Sequence, residues 1–372
     1  MLIVSTLAFT VCFMVWMMFG VIGIPIKKLL NLSSTQFGLL TAMPVLTGSL
    51  IRVPLGIWTD KYGGRIVMAV LMAVTVPAIW MMGYATEYWH FLTIGLFVGL
   101  AGGSFSLGPP YVARWFPKNR QGTAMGIAGA GNSGTVLAAL FAPMLAVAFG
   151  FRNVFGLACI PLVVVLVVFA ACAKDAPVAV ARKTLGDYAR VLVGNRDSWW
   201  FMFFYAITFG GFAGFASALP GYFHDQFGFE PKLAGWATAA CVLAGSVMRP
   251  LGGVIADRIG GTRSLQMVYV AVTVLVSTAA LGIGGAQATV ALFVLTLLCL
   301  GAGNGAVFQL VPQRFGAEIG LMTGLIGMAG GVTSVDPHFH NASPNNSIAM
   351  QIFDRLVGRA AAGALAPGPA ES

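Results

Sequence analysis

Ser49–Arg65 reads SLIRVPLGIWTDKYGGR, an apolar run that carries Arg52 in its interior and ends in Asp60, Lys61, a Gly63–Gly64 pair and Arg65. A charged side chain inside a membrane span costs several kcal/mol unless a partner meets it, so Arg52 is a functional candidate from the start. The pattern returns in the second half of the chain as SVMRPLGGVIADRIGGTR, Ser246–Arg263. Arg249 again lies eight residues before an aspartate, Asp257, and Gly260–Gly261 stand where Gly63–Gly64 stood. Two copies of one costly device, half a chain apart, predict a duplicated membrane machine with a basic site between its halves.

Composition agrees. Of the 372 residues, 58% are hydrophobic and only 9% charged, with mean hydropathy +0.85; an ordinary soluble chain carries about a quarter charged residues. Apolar runs of about 20 residues recur, each long enough to cross a bilayer as a helix. The short alternating segments of a membrane β-barrel are absent. The expected spans are 2–25, 35–58, 65–86, 89–113, 121–149, 152–173, 198–222, 232–256, 264–284, 287–312 and a partial one from 317 to about 333. The first lacks the basic leader and small-residue cleavage site of a signal peptide.

The net charge of +9 does not point to nucleic acid, because the basic residues sit in short loops between spans. One alternating set of loops holds thirteen of them, Lys61, Arg65, Arg114 and Arg263 included; the other holds Lys27, Lys28, Arg152 and Lys232. The richer set is expected in the cytoplasm, which puts the N-terminus there too and the protein in the cell's inner membrane. The five cysteines all lie in apolar runs without paired spacing and read as small core residues.

The chain divides into a six-span half (1–174), a cytoplasmic linker (175–197) in which Lys183–Val193 reads either as a surface helix or as solvated linker, a second half (198–333) with four full spans and a partial fifth, and a polar tail (334–372) with no run able to span. The last one to two helices of the second half are therefore expected to be missing. His338 and His340 of the tail read as incidental rather than as a metal site. A second repeat reinforces the duplication: Gly122, Gly126, Gly129 and Ser133 share their spacing with Gly320, Gly324, Gly327 and Gly331. Such spacing lines one helix face, where small residues let a second helix approach.

Each arginine has a proline just behind it, Pro54 and Pro250, and no acidic residue lies deep in any span. Two uncompensated arginines in one chamber repel each other, and an anion between them removes the penalty; bonding to backbone carbonyls is the structural alternative. The planar guanidinium fork suits a planar oxyanion. Asn132 and Ser133 would add neutral hydrogen bonds or bind helices together. Phe105, Tyr205 and Phe209 would wall the site or simply pack. No Ser/His/Asp set, metal-spaced Cys or His, or phosphate-binding Gly-x-x-x-x-Gly-Lys-Ser/Thr loop occurs, which argues against an enzyme, a cofactor, a metal and an ATP-driven pump.

GIWTDKYGGR and GVIADRIGGTR resemble the loop motif of the major facilitator superfamily. GGSFSLGPPYVARWFPKNRQGTAMGIAGAGNSG is similar to the nitrate/nitrite porter branch, with its first signature on the fifth span, and GLIGMAGG resembles the start of the second signature. The resemblance covers about residues 1–331. It implies an all-α fold of two pseudo-symmetric halves and a secondary transporter for nitrate, nitrite or both, working as a monomer by alternating access. It also implies an anion clamp of Arg52 and Arg249, aromatic walls of Phe105, Tyr205 and Phe209, and signature residues Asn132, Gly129, Gly131, Gly327 and Gly330. With no carboxylate or histidine deep in the spans, nitrate/nitrite exchange is expected over proton symport. The departure after Gly331 raises one alternative, a non-transporting paralogue that is inert, sensing or partner-binding.

Overall fold

A computed structural model describes residues 1–176, 186, 194–281, 284–316 and 318–332, and every regular element among them is helical. The tail over 334–372 and, but for Gly186, the surface segment Lys183–Val193 lie outside the described residues. The first half comprises α1 (Leu2–Leu29), α2 (Ser34–Leu50), α3 (Arg52–Tyr62), α4 (Gly64–Met82), α5 (Tyr88–Gly99), α6 (Gly108–Ala113), α7 (Gln121–Gly129), α8 (Gly134–Phe149) and α9 (Phe151–Cys172). The second comprises α10 (Arg196–Tyr205), α11 (Gly211–Phe227), α12 (Pro231–Ile259), α13 (Gly261–Ala280), α14 (Gly285–Arg314) and α15 (Ile319–Val332).

Several of these join end to end into single spans. α2 and α3 meet at Ile51, three residues before Pro54, whose missing N–H removes a rung of the helix. α5 and α6 are joined through a 3-10 segment, Leu100–Ser106, and α7 and α8 through another, Ala130–Ser133. A π turn, Ala206–Gly210, joins α10 to α11. Nine helical stretches among the described residues are long and apolar enough to cross a membrane; Leu2–Met18 and Ile319–Gly331 are shorter apolar ones. Side chains such as Trp80, Val164 and Val270 stay more than half exposed, as expected of a surface facing lipid.

The repeated aspartates are helical, whereas the expected spans stopped short of them at 58 and 256. α3 runs to Tyr62 and α12 to Ile259 because basic residues in the last turn (Lys61, Arg258) suit a helix C-terminus. The turn comes at the first glycine of each pair. Gly63 (φ 88°) and Gly260 (φ 93°) adopt a backbone that side chains disfavour, so each pair ends one helix and starts the next.

The glycine stripes are where the halves meet. A Cβ on Gly324 of α15 would stand 2.4 Å from the Arg52 carbonyl oxygen, and one on Gly56 of α3 would stand 2.2 Å from that of Gly320. The second half mirrors this against the first: a Cβ on Gly126 of α7 would stand 2.8 Å from the Arg249 carbonyl oxygen, and one on Gly253 of α12 would stand 2.2 Å from that of Gly122. Backbone touches backbone at two crossings, α3 with α15 and α7 with α12. Each crossing runs directly beside one of the two arginines.

Candidate functional site

Arg52 and Arg249 are both buried, 0% and 2% exposed, and neither meets a carboxylate among the described residues. Each is held by the glycine stripe of the opposite half. Arg52 Nη1 donates to the carbonyl of Gly327 on α15. Its Nε donates to the carbonyl of Gly102 at 3.3 Å. Arg249 Nη1 donates to the carbonyl of Gly129 on α7 at 3.2 Å. The repeat seen in the sequence is thus a repeat of contacts: arginine of one half, carbonyl of the matching glycine in the other.

The two environments then diverge. With its amide oxygen turned to the guanidinium, Asn132 accepts from Arg249 Nη2 at 2.9 Å and Nη1 at 2.5 Å. Gly330 stands at the corresponding place of the second stripe and offers Arg52 no side chain. Arg52 Nη2 and Arg249 Nε are buried without a hydrogen-bond partner. A buried cationic donor left unpaired is costly, so the site retains unmet demand for an acceptor.

Between the arginines stands a stack of rings. Tyr205 and Phe209 sit either end of the π turn with centroids 5.2 Å apart and planes 3° apart. Phe105 stacks on both, at 5.8 and 6.4 Å. Phe308 of α14 closes the group edge-on against Phe105 (5.2 Å) and Tyr205 (4.9 Å). Each guanidinium lies over one end: Arg52 Cζ is 5.2 Å from the Phe105 centroid, and Arg249 Cζ 5.4 Å from that of Phe209. Trp16 and Phe212 add second ring faces, at 5.7 and 5.8 Å. Cation–π contact stabilises a desolvated guanidinium without consuming its N–H groups, which point outward in the guanidinium plane.

Most of the expected site residues converge here. Gly327 packs on Phe105 and on the stem of Arg52; Gly330 packs on the rings of Tyr205 and Phe209. Gly131 does not face the arginines: a Cβ there would run into the Phe9 ring at 2.4 Å, so it serves the packing of α1 within the first half. Phe308, Phe212 and Trp16 were not anticipated, because one more aromatic residue in an apolar helix has no periodicity that separates wall from packing.

A second pair of contacts lies at the ends of α3 and α12. Asp60 Oδ1 and Oδ2 accept from the Gly320 and Leu321 amides, the start of α15, at 3.0 and 2.9 Å. Asp60 also pairs with Arg114 at 2.5 Å. In the mirror position, Asp257 accepts from the amides of Gly122 and Thr123, the start of α7, at 3.1 and 2.8 Å, and from the Thr123 hydroxyl at 2.8 Å. Helix N-termini expose unpaired N–H groups and a partial positive charge, and each aspartate satisfies those of a helix in the other half. The halves are latched twice at the end where the double-glycine turns lie.

The sequence matches the Major Facilitator Superfamily over residues 4–335. Among curated relatives it is 32% identical over 336 residues to a "Nitrite extrusion protein" of Bacillus subtilis, covering 90% of this chain and 84% of the relative. It is 33% identical over 358 residues to a "Probable nitrate/nitrite antiporter NarK1" of Thermus thermophilus, covering 88% and 80%. Among solved structures, the Escherichia coli fucose:proton symporter FucP superposes with a TM-score of 0.72 at 17% identity, over 97% of this chain and 98% of that one. The fold, the duplicated arginine helices and these relatives agree: the chain is a multi-pass membrane protein of the Major Facilitator Superfamily and belongs to its nitrate/nitrite porter branch.

Proposed function

We propose that the protein moves nitrate, nitrite or both across the cell's inner membrane by alternating access, exchanging one for the other. The observation that carries this is the pair of arginines, one from each half, facing a shared aromatic stack with no carboxylate to neutralise them. A small planar anion between them satisfies the unpaired Arg52 Nη2 and Arg249 Nε and cancels their mutual repulsion. The rings shape a flat slot and shed water, which strengthens the charge-assisted bonds. Asn132 keeps Arg249 oriented toward the same guest.

The double latch supports rocking about this point. Asp60 and Asp257 tie the halves at one end, read as cytoplasmic from the loop charges, and their release opens the chamber there. Exchange is favoured over proton symport by the fate of the buried acids. Asp60 is the one buried carboxylate among the described residues, and it is already engaged by Arg114 and two amides. Without a titrating group to replace the anion, empty halves hold two bare guanidinium groups and resist switching.

The test is uptake of isotopically labelled nitrate by proteoliposomes carrying the purified chain. Uptake should need nitrite or nitrate inside and be indifferent to an imposed pH gradient. Uptake into nitrite-free vesicles accompanied by internal acidification would overturn exchange. Anion binding without any uptake would favour a sensing protein over a transporter.

A further inference from the structure

One buried polar cluster is used by neither the arginine clamp nor the latches. Asn304 of α14 is 1% exposed, and neither its amide oxygen nor its amide nitrogen has a hydrogen-bond partner. Thr208, in the π turn, is fully buried and its hydroxyl is likewise unpaired. Thr208 packs beside the residue that precedes Asn304: a Cβ on Gly303 would stand 2.8 Å from Thr208 Cγ2. Asn304 lies one helical turn before Phe308 and so on the same face of α14, and Phe308 packs on Phe105 and Tyr205 of the aromatic stack.

Several hydroxyls in the spans bond back to the carbonyl one turn earlier, as Thr75 does to Leu71 and Thr296 to Leu292 at 2.8 Å. For Thr208 that carbonyl, on Phe204, instead accepts from Tyr269 at 3.2 Å. An amide has no such fallback, and burying one with no partner costs on the order of a few kcal/mol. A leucine would fill the space without that cost. The first half carries a buried polar residue at the matching place: LAGGS (100–104) aligns with LGAGN (300–304).

We propose that Asn304 is a further anion-contacting residue: its amide nitrogen donates to an oxygen of the small oxyanion held by Arg52 and Arg249, with the Thr208 hydroxyl beside it. This rests on reading the chamber as an oxyanion site. It adds a neutral donor from α14 to the arginines of α3 and α12, so that elements of both halves grip the guest as they rock. An amide suits that role because it donates without adding a third positive charge to a chamber that already holds two.

The experiment measures nitrate and nitrite binding to the full chain in lipid nanodiscs by calorimetry, for wild type, N304L, T208V and R52K. N304L should bind at least about tenfold more weakly, equivalent to 1.4 kcal/mol, while its anion-free unfolding midpoint is unchanged or higher because the orphaned amide is gone. T208V should lose about threefold, and N304D, which places a negative charge beside the guest, should not bind. If N304L does not fold, N304S and T208V carry the same comparison. Wild-type affinity in N304L overturns the proposal, as does wild-type affinity in both N304S and T208V. Wild-type binding that is lost in R52K but unchanged in N304L overturns this inference alone; absence of binding by wild type overturns it together with the chamber reading.

Discussion

Arg52 and Arg249 come from the same motif, lie eight residues before an aspartate and bond the same position of the opposing glycine stripe, yet their surroundings differ. Arg249 is braced by the amide of Asn132 and keeps only Nε unpaired; Arg52 has two carbonyls, no side-chain acceptor and a whole Nη2 unpaired. Duplication therefore supplies the frame, and divergence within it leaves one arginine braced and the other with the larger unmet demand for an acceptor. The latches differ likewise. Asp60 carries an ion pair in addition to its two amides, while Asp257 has a hydroxyl in place of the ion pair.

The sharpest way to break this comparison is to replace each arginine by lysine. R52K and R249K keep the charge and lose the fork, and both should reduce anion affinity by about a hundredfold or more, with R52K the more severe. Equal losses, read by calorimetry, would mean that the Asn132 brace makes no difference. Next in size are the stripes. G324A drives a methyl group into the Arg52 carbonyl at 2.4 Å and G126A into that of Arg249 at 2.8 Å. Both should hold the latched end apart, with G324A the more disruptive. Cysteine pairs placed across α3–α15 and α7–α12 should then lose their cross-linking.

Loss of latch charge ranks third. D60N should shift the balance of states toward the unlatched end by about tenfold, since a charge-assisted bond contributes roughly 1.5–3 kcal/mol. D257N, with no ion pair to lose, should shift it less. Double electron–electron resonance distances across that end read both, and the reverse order would undo the asymmetry. The smallest effect is expected for N132A, which frees Arg249 without removing a charge. Its anion affinity should fall by about three- to tenfold, because the two lost bonds orient Arg249 and leave its charge in place, and R249K should mask it in a double-mutant cycle.

Much of this was legible in the chain. Hydropathy gives the spans, because lipid admits only helices that satisfy their own backbone. The paired Arg-to-Asp spacing gives the duplication and both arginines, since charge in a span stands out against an apolar background. The spacing of small residues marks α7 and α15 as crossing helices. Span ends were read too short at Asp60 and Asp257, because hydropathy penalises charges that a neighbouring helix N-terminus in fact welcomes. Gly131 was drawn into the site by its motif, although it packs on Phe9.

What the sequence by itself determined is the inventory: membrane helices in two related halves, and two arginines with no acid near them in the chain. What only the tertiary structure decided is the pairing across the halves. Arg52 meets Gly327, Arg249 meets Gly129 and Asn132, each aspartate caps a helix of the other half, and Phe308 closes on the aromatic stack. The physical reason is that lipid exposure and burial look alike in an apolar helix. Which face turns inward is set by close backbone approach at glycine and by unmet hydrogen bonds, and both exist only once two distant segments are side by side.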